Sequence, residues 1–179
     1  MRLALSGSAG TGKTTLATRL AEELGLPYVE EGMRRRLTEG LDVHDFGADE
    51  QRALIHELWE EQRALEANYE RGFVADRSSL DYAAFWMHYS LHEAEAETEA
   101  FMRDMIEHAE TYDRIVLLPH GVFPIEADGI RATSEWLQLR YQGILEICLE
   151  RYTPAGRLLR VPSTDEFSSR LEFVLSSVQ

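Results

Sequence analysis

Nine residues near the start of the chain, Gly7-Ser8-Ala9-Gly10-Thr11-Gly12-Lys13-Thr14-Thr15, constrain its fold more than any other stretch. They follow the apolar run Leu3-Ala4-Leu5-Ser6 and open a segment carrying Leu16, Leu20 and Leu24 at helical spacing, so they fall at a strand-to-helix junction. G-x-x-x-x-G-K-T in that position is a phosphate-binding loop. Gly7 and Gly12 reach backbone angles closed to residues with a Cβ, which lets several N–H groups converge on one anion. The helix that follows points its positive dipole end at the same spot. In this pattern Lys13 reaches the β- and γ-phosphates and the Thr14 hydroxyl ligates Mg²⁺. ATP with Mg²⁺ is therefore the expected cofactor pair, held by all nine residues from Gly7 to Thr15.

Composition narrows the class further. At 179 residues the chain suits a single domain, 1–179, with a sizeable core. A formal net charge of −14 argues against a nucleic-acid backbone as partner and favours a small molecule. Arg34-Arg35-Arg36 reads as the start of a helix with one functional member rather than as a nucleic-acid patch. The lone cysteine, Cys148, sits in an apolar run and is expected to be a buried thiol. The chain enters a strand directly and has no apolar run of membrane-spanning length, so a cytoplasmic protein without membrane contact is expected.

Hydrophobic periodicity then lays out alternating strands and helices. Tyr28-Val29-Glu30 reads as a second strand that delivers Glu31-Gly32-Met33-Arg34 at its C-terminal end, the ligand side of an open α/β sheet. Gly40 to Gly47 is a turn-rich loop, in which the spacing of His44 and its neighbouring aspartates is poor for a metal. Asp49 to Arg71 is an amphipathic helix capped by Asp49. Gly72 to Ser78 is a third strand running into Asp76. Tyr82, Phe85, Trp86 and Tyr89 recur at helical spacing behind it, as a core stripe or as a stacking wall for a ring. Glu93 to Glu99 is a solvated face or connection, Arg114 to Pro119 a fourth, interior strand, and His120 to Gly129 a loop. Arg131 to Arg151 is helix again, Arg157 to Val161 a fifth strand, and Ser163 or Thr164 caps a last helix. Five strands separated by helices make an α/β protein with a parallel sheet and right-handed crossovers.

The phosphate loop alone leaves the reaction open. The guanine-specifying N-K-x-D of GTPases is absent from the chain. Glu31-Gly32-Met33 and Asp76-Arg77-Ser78 resemble the paired Glu-Pro-Met/Val and Asp/Glu-Arg-Ser/His motifs of deoxyribonucleoside kinases, with Gly32 in place of the proline. Glu31-Gly32-Met33-Arg34 is also similar to the Glu-x-x-Arg of the ribosylnicotinamide kinase domain of bacterial NAD-biosynthesis regulators. Tyr112-Asp113 before the fourth strand and Asp128-Gly129-Ile130-Arg131 after it match the same relatives, so the resemblance to P-loop small-molecule kinases spans nearly the whole chain. It implies a three-layer sandwich with strand order 2-3-1-4-5, a lid at about 120–140, and transfer of a γ-phosphoryl group to a small acceptor such as a nucleoside, nicotinamide riboside or a nucleotide.

Phosphoryl transfer asks a protein mainly for positioning and charge neutralisation. Lys13 and Thr14 serve the donor. Glu31 is read as the base toward the acceptor and Asp76 as nearer the metal, with the reverse assignment open. Arg34 and Arg77 fix the acceptor or the base, Tyr82 and Trp86 contact the acceptor, and Arg131 and Arg140 reach from the lid to the transferred phosphoryl. Salt bridges are the plain alternative for each arginine. A nucleotide-dependent switch that has no acceptor is the competing class, and a homodimer stays open.

Overall fold

The computed structural model describes residues 1–43, 45–89, 95–124 and 134–178. Its five strands, β1 (Arg2–Ser6), β2 (Tyr28–Val29), β3 (Phe73–Asp76), β4 (Arg114–Leu117) and β5 (Leu158–Arg160), are all parallel and stand in the order β2-β3-β1-β4-β5. The helices are α1 (Lys13–Leu24), α2 (Gly32–Thr38), α3 (Ala48–Ala67), α4 (Ser79–Tyr89), α5 (Glu95–Ala109), α6 (Glu135–Tyr152) and α7 (Phe167–Val178). This is the α/β three-layer fold and strand order expected from the sequence.

Alternation along each strand makes the layers. Leu3, Leu5, Val74 and Val116 face one side and pack on Leu16 and Leu20 of α1 and Val174 of α7. Ala4, Phe73, Ala75, Ile115 and Leu117 face the other and pack on Leu80 and Ala84 of α4 and Tyr141, Leu145 and Leu149 of α6. A parallel sheet covered on both faces reads as continuous apolar runs, which is why the strands were visible in the sequence. A third apolar cluster lies where α3 and α5 pack beside α4, built on Ile55, Leu58, Trp59, Trp86, Phe101 and Met105. Cys148 is buried, and burial pushes its thiol up to about 11.

Register aligns the strand ends that matter. Leu5 of β1 pairs with Asp76 of β3, and Ser6 pairs with Leu117 of β4, so the loop after β1 and the acid ending β3 emerge side by side. Three expected helix starts move, the last helix beginning at Phe167 instead of directly after Ser163 or Thr164. The long third helix begins at Ala48 and is capped by Gly47, whose N–H bonds Glu50 Oε2 at 2.6 Å, so Asp49 lies inside the first turn instead of capping it. The sixth helix begins at Glu135 with Ser134 as its cap. Arg131, like His44, lies outside the described residues. No described helix is long and apolar enough to cross a membrane.

Candidate active site

The loop between β1 and α1 has the backbone that anion binding requires. Gly7 and Gly12 sit at φ of 152° and 85°, and a Cβ on Gly7 would stand 3.0 Å from Thr11 Oγ1 and 3.3 Å from the Leu118 carbonyl. The backbone N–H groups from Gly10 to Thr15 have no acceptor among the described residues. Such a row of open donors at a helix start is a ready anion site. The two preceding N–H groups are taken: Ser8 donates to Gln142 Oε1 at 2.8 Å and Ala9 to Gln138 Oε1 at 3.2 Å. Lys13 is buried and its Nζ donates to the Ser8 carbonyl at 2.8 Å. Burial, with the nearby Arg77 charge, pulls its ammonium down to about 8.

Beside the loop stands a carboxylate suited to a hard cation. Thr14 Oγ1 donates to Asp76 Oδ2 at 2.6 Å, and Tyr28 OH reaches the same oxygen at 3.3 Å. The other oxygen, Asp76 Oδ1, is buried and has no hydrogen-bond partner. A buried orphan carboxylate oxygen next to a hydroxyl fits Mg²⁺, which takes one or two protein oxygens and completes its shell with phosphate oxygens and water. No described cluster of three or more metal-binding side chains competes with it.

The second acid stands apart from the first. Glu31 stands at the residue before α2 without a side-chain bond to the helix, its side chain is 15 % exposed, and its Oε1 lies 2.6 Å from Arg77 Nε, an ion pair made without hydrogen-bond alignment at that nitrogen. Arg77 is itself buried, and its Nη1 contacts Asp81 Oδ1 at 3.1 Å, Tyr141 OH at 3.3 Å and the Gly7 carbonyl at 3.5 Å. Burial opposes its charge, but Glu31, Tyr141 and Asp81 outweigh that and raise its pKa well above the ordinary value. Arg77 therefore ties Glu31 to the phosphate loop as a permanent cation.

On the far side of Phe85 from this pair lies a cavity of about 150 Å³, apolar in lining, walled by Met33, Phe46, Leu54, Leu58, Phe85 and Tyr89. Tyr82 and Gln51 also line it. The Phe85 ring lies 4.7 Å from the Arg77 guanidinium carbon and stacks against Tyr89 at 6.3 Å, joining the cavity to the ion pair.

Some expected residues lie elsewhere. Trp86 is fully buried, stacked on Phe101 and bonded through Nε1 to Thr98 Oγ1, so it is core and not part of the cavity lining. One residue further round the helix than Phe85, it faces α5. Arg140 turns away from the loop: its Nε donates to His88 Nδ1 at 3.2 Å and its Nη2 to the His88 carbonyl at 3.1 Å. Burial and the Arg140 charge push His88 down to about 4, so that imidazole stays neutral. The side chains of α6 that do touch the loop are Gln138 and Gln142, four residues apart on one face, which leaves Arg140 between them on the opposite face. Arg34 is exposed with no side-chain partner among the described residues, while Arg35 and Arg36 pair with Glu61 and Glu57.

Asp81 escaped the sequence reading, yet it is the polar centre beneath the loop. It is fully buried and accepts from Ser6 Oγ at 2.6 Å, Ser78 N at 3.1 Å and Tyr141 OH at 3.1 Å. The signal was present as Ser78-x-x-Asp81, a helix-start pattern just before an apolar run.

A phosphate loop on the first strand of a parallel 2-3-1-4-5 sheet, with an acid ending the neighbouring strand, defines a P-loop nucleotide-binding protein. Within that class the chain belongs to the AAA domain family, whose model matches residues 2–165. It is similar to the cytidylate kinase of Fervidobacterium nodosum, 36 % identical over 59 residues that make up 33 % of this chain and 26 % of that protein. Among solved structures it resembles a NadR protein in complex with NR, with a TM-score of 0.73 at 22 % identity over 98 % of this chain and 48 % of that one. It also resembles a deoxyadenosine kinase from M. mycoides, with a TM-score of 0.73 at 13 % identity over 99 % of this chain and 98 % of that one. The chain thus spans about a quarter of the cytidylate kinase and about half of the NadR protein; the structural likenesses show the fold.

Proposed function

We propose that residues 1–179 form one kinase domain that moves the γ-phosphoryl group of ATP to a hydroxyl of a small, ring-bearing, nucleoside-like acceptor, of which nicotinamide riboside is one example. The observation that carries this reading is the Glu31–Arg77 pair at 2.6 Å, set between the phosphate loop and the apolar cavity. A switch needs no carboxylate on the acceptor side. The cytidylate kinase, NadR and deoxyadenosine kinase likenesses support the same class.

The chain divides the work by side. The open N–H row from Gly10 to Thr15 and Lys13 cradle the β- and γ-phosphates. Mg²⁺ held at Thr14 and Asp76 would neutralise charge on those phosphates. The acceptor ring lies in the cavity against Phe85, Tyr82 and Tyr89, which directs its hydroxyl toward Glu31. Glu31 accepts the hydroxyl proton as the oxygen bonds to the γ-phosphorus and the bond to the ADP oxygen breaks. Arg77 holds Glu31 in place.

The deciding measurement is ADP release with and without nucleosides, nicotinamide riboside and nucleoside monophosphates. ADP formation that depends on a nucleoside-type acceptor supports the kinase. Slow hydrolysis indifferent to every compound overturns it in favour of a switch.

A pH dependence follows from Lys13. In the free protein its ammonium titrates at about 8, and a bound phosphate favours the charged form. ATP binding therefore takes up a proton above that pH. Affinity stays level below pH 8 as far as Lys13 is concerned, then falls toward about tenfold per pH unit above it. Calorimetric titration with ATP between pH 7.5 and 9.5 checks this, and a flat profile refutes it.

A further inference from the structure

The backbone of Arg77 is strained, and it is held from a helix that contributes nothing to the phosphate loop. Its φ of 118° is the only positive value at a non-glycine position among the described residues. A side chain persists in that region only where its surroundings impose it. Here the conformation turns the guanidinium back under Gly7 and toward Glu31, and turns the Arg77 carbonyl toward α3. There Gln62 Nε2 donates to it at 2.9 Å.

Gln62 is 2 % exposed, and each of its polar atoms is engaged. Nε2 also donates to Glu66 Oε1 at 2.8 Å, and Oε1 accepts from Tyr82 OH at 2.7 Å. Both partners of Nε2 are acceptors only, which fixes the amide orientation. Glu66 is anchored in turn by Tyr112 OH at 3.0 Å and by His108 Nε2 at 2.7 Å. On the same helix Leu54, Ile55 and Leu58 wall the acceptor cavity, as does Tyr82. One buried amide therefore touches the cavity wall on one side and the strained arginine on the other.

We infer that Gln62 is a positioning residue: it holds the Arg77 backbone in its strained form and thereby keeps Glu31 in register with the phosphate loop and the acceptor cavity. Its part in turnover rests on the kinase reading above; its hold on Arg77 does not.

The test pairs a spectroscopic with a kinetic readout. In the wild type, the Arg77 Nε–H proton, observed by NMR of arginine-labelled protein, should exchange slowly with solvent. Gln62→Leu removes the donor to the Arg77 carbonyl. It should speed that exchange by about tenfold or more and lower kcat by a similar factor, while ATP affinity changes by less than about twofold. Gln62→Glu keeps the shape but sets a third acceptor between the Arg77 carbonyl and Glu66, and it should not restore either quantity. Should Gln62→Leu not fold, Tyr82→Phe keeps the ring, frees the Gln62 oxygen, and should give a smaller change of the same sign.

Slow exchange and kcat both unmoved in Gln62→Leu, or in Tyr82→Phe where that variant decides, overturn the inference. So does a fall of kcat and ATP affinity together in step with lost stability, which would make Gln62 merely structural. The exchange measurement needs neither ATP nor acceptor. A wild type that protects Arg77 but transfers no phosphate fails the kinase reading and leaves the hold on Arg77 to be decided by the exchange rates.

Discussion

Replacing Lys13 by alanine is expected to abolish ATP-dependent phosphoryl transfer and leave the protein folded. Lys13 is the buried cation at the start of α1, and in a water-excluded site a preorganised positive group acts where charge develops during transfer. Losing one such group costs on the order of 10²–10³ in rate. The fold has little to lose. Among the described residues Lys13 Nζ donates only to the Ser8 carbonyl, and that carbonyl also accepts from Thr11 Oγ1 at 3.0 Å. The ammonium is moreover held below its ordinary range by burial, so the native protein carries it at a cost. The sign follows: the unfolded chain holds this proton more tightly, so the wild type gains stability as pH rises from about 8 toward 10.5. Lys13→Ala should lack that rise and melt no lower than the wild type at neutral pH. ADP release and thermal melts check both halves. Undiminished turnover in the variant refutes the role of the phosphate loop.

How far the sequence foretold this site depends on how local each requirement is. The phosphate loop was legible because its conditions, glycines at two forced backbone positions, a lysine and a hydroxyl, fall within nine consecutive residues. The sheet was legible because interior parallel strands such as Ile115-Val116-Leu117 are apolar on both faces. Helical faces were harder. Charge directed attention to Arg140 as a partner of the phosphates, but the start of α6 sets which face meets the loop, and that face carries Gln138 and Gln142. Trp86 differs from Phe85 by one helical step, and one step separates a core position from a cavity wall. Asp81 and Gln62 act through tertiary contacts across 75 and 15 residues of sequence, with Ser6 and with the Arg77 carbonyl, and periodicity carries no trace of such contacts. The strain at Arg77 has no sequence signal at all, since the residue type there argues against a positive φ.

Glu31→Gln is expected to slow transfer far more than it weakens ATP binding. The amide keeps the size of the side chain and an oxygen for Arg77, but it has no basicity with which to take the acceptor proton. General-base catalysis is worth roughly 10²–10⁴ in rate, and kcat should fall within that range. ATP affinity should change by less than about twofold, because Glu31 contacts neither the open N–H row nor Asp76. Asp76→Asn should behave differently. Its carboxylate is bonded to Thr14 at 2.6 Å on the donor side, so its loss should raise the Mg²⁺ concentration needed for half-maximal rate and weaken Mg–ATP binding. Comparing the Mg²⁺ dependence, ATP affinity and kcat of the two variants separates the roles. If Asp76→Asn lowers kcat with Mg²⁺ dependence and ATP affinity unchanged, while Glu31→Gln shifts them, the two acids exchange places. The geometry favours Glu31 as the base and Asp76 as the metal ligand. A base must stand where an acceptor can arrive, and Glu31 is joined through Arg77 to Phe85 of the cavity wall, whereas Asp76 is enclosed between Thr14 and Tyr28 with one oxygen left for a cation.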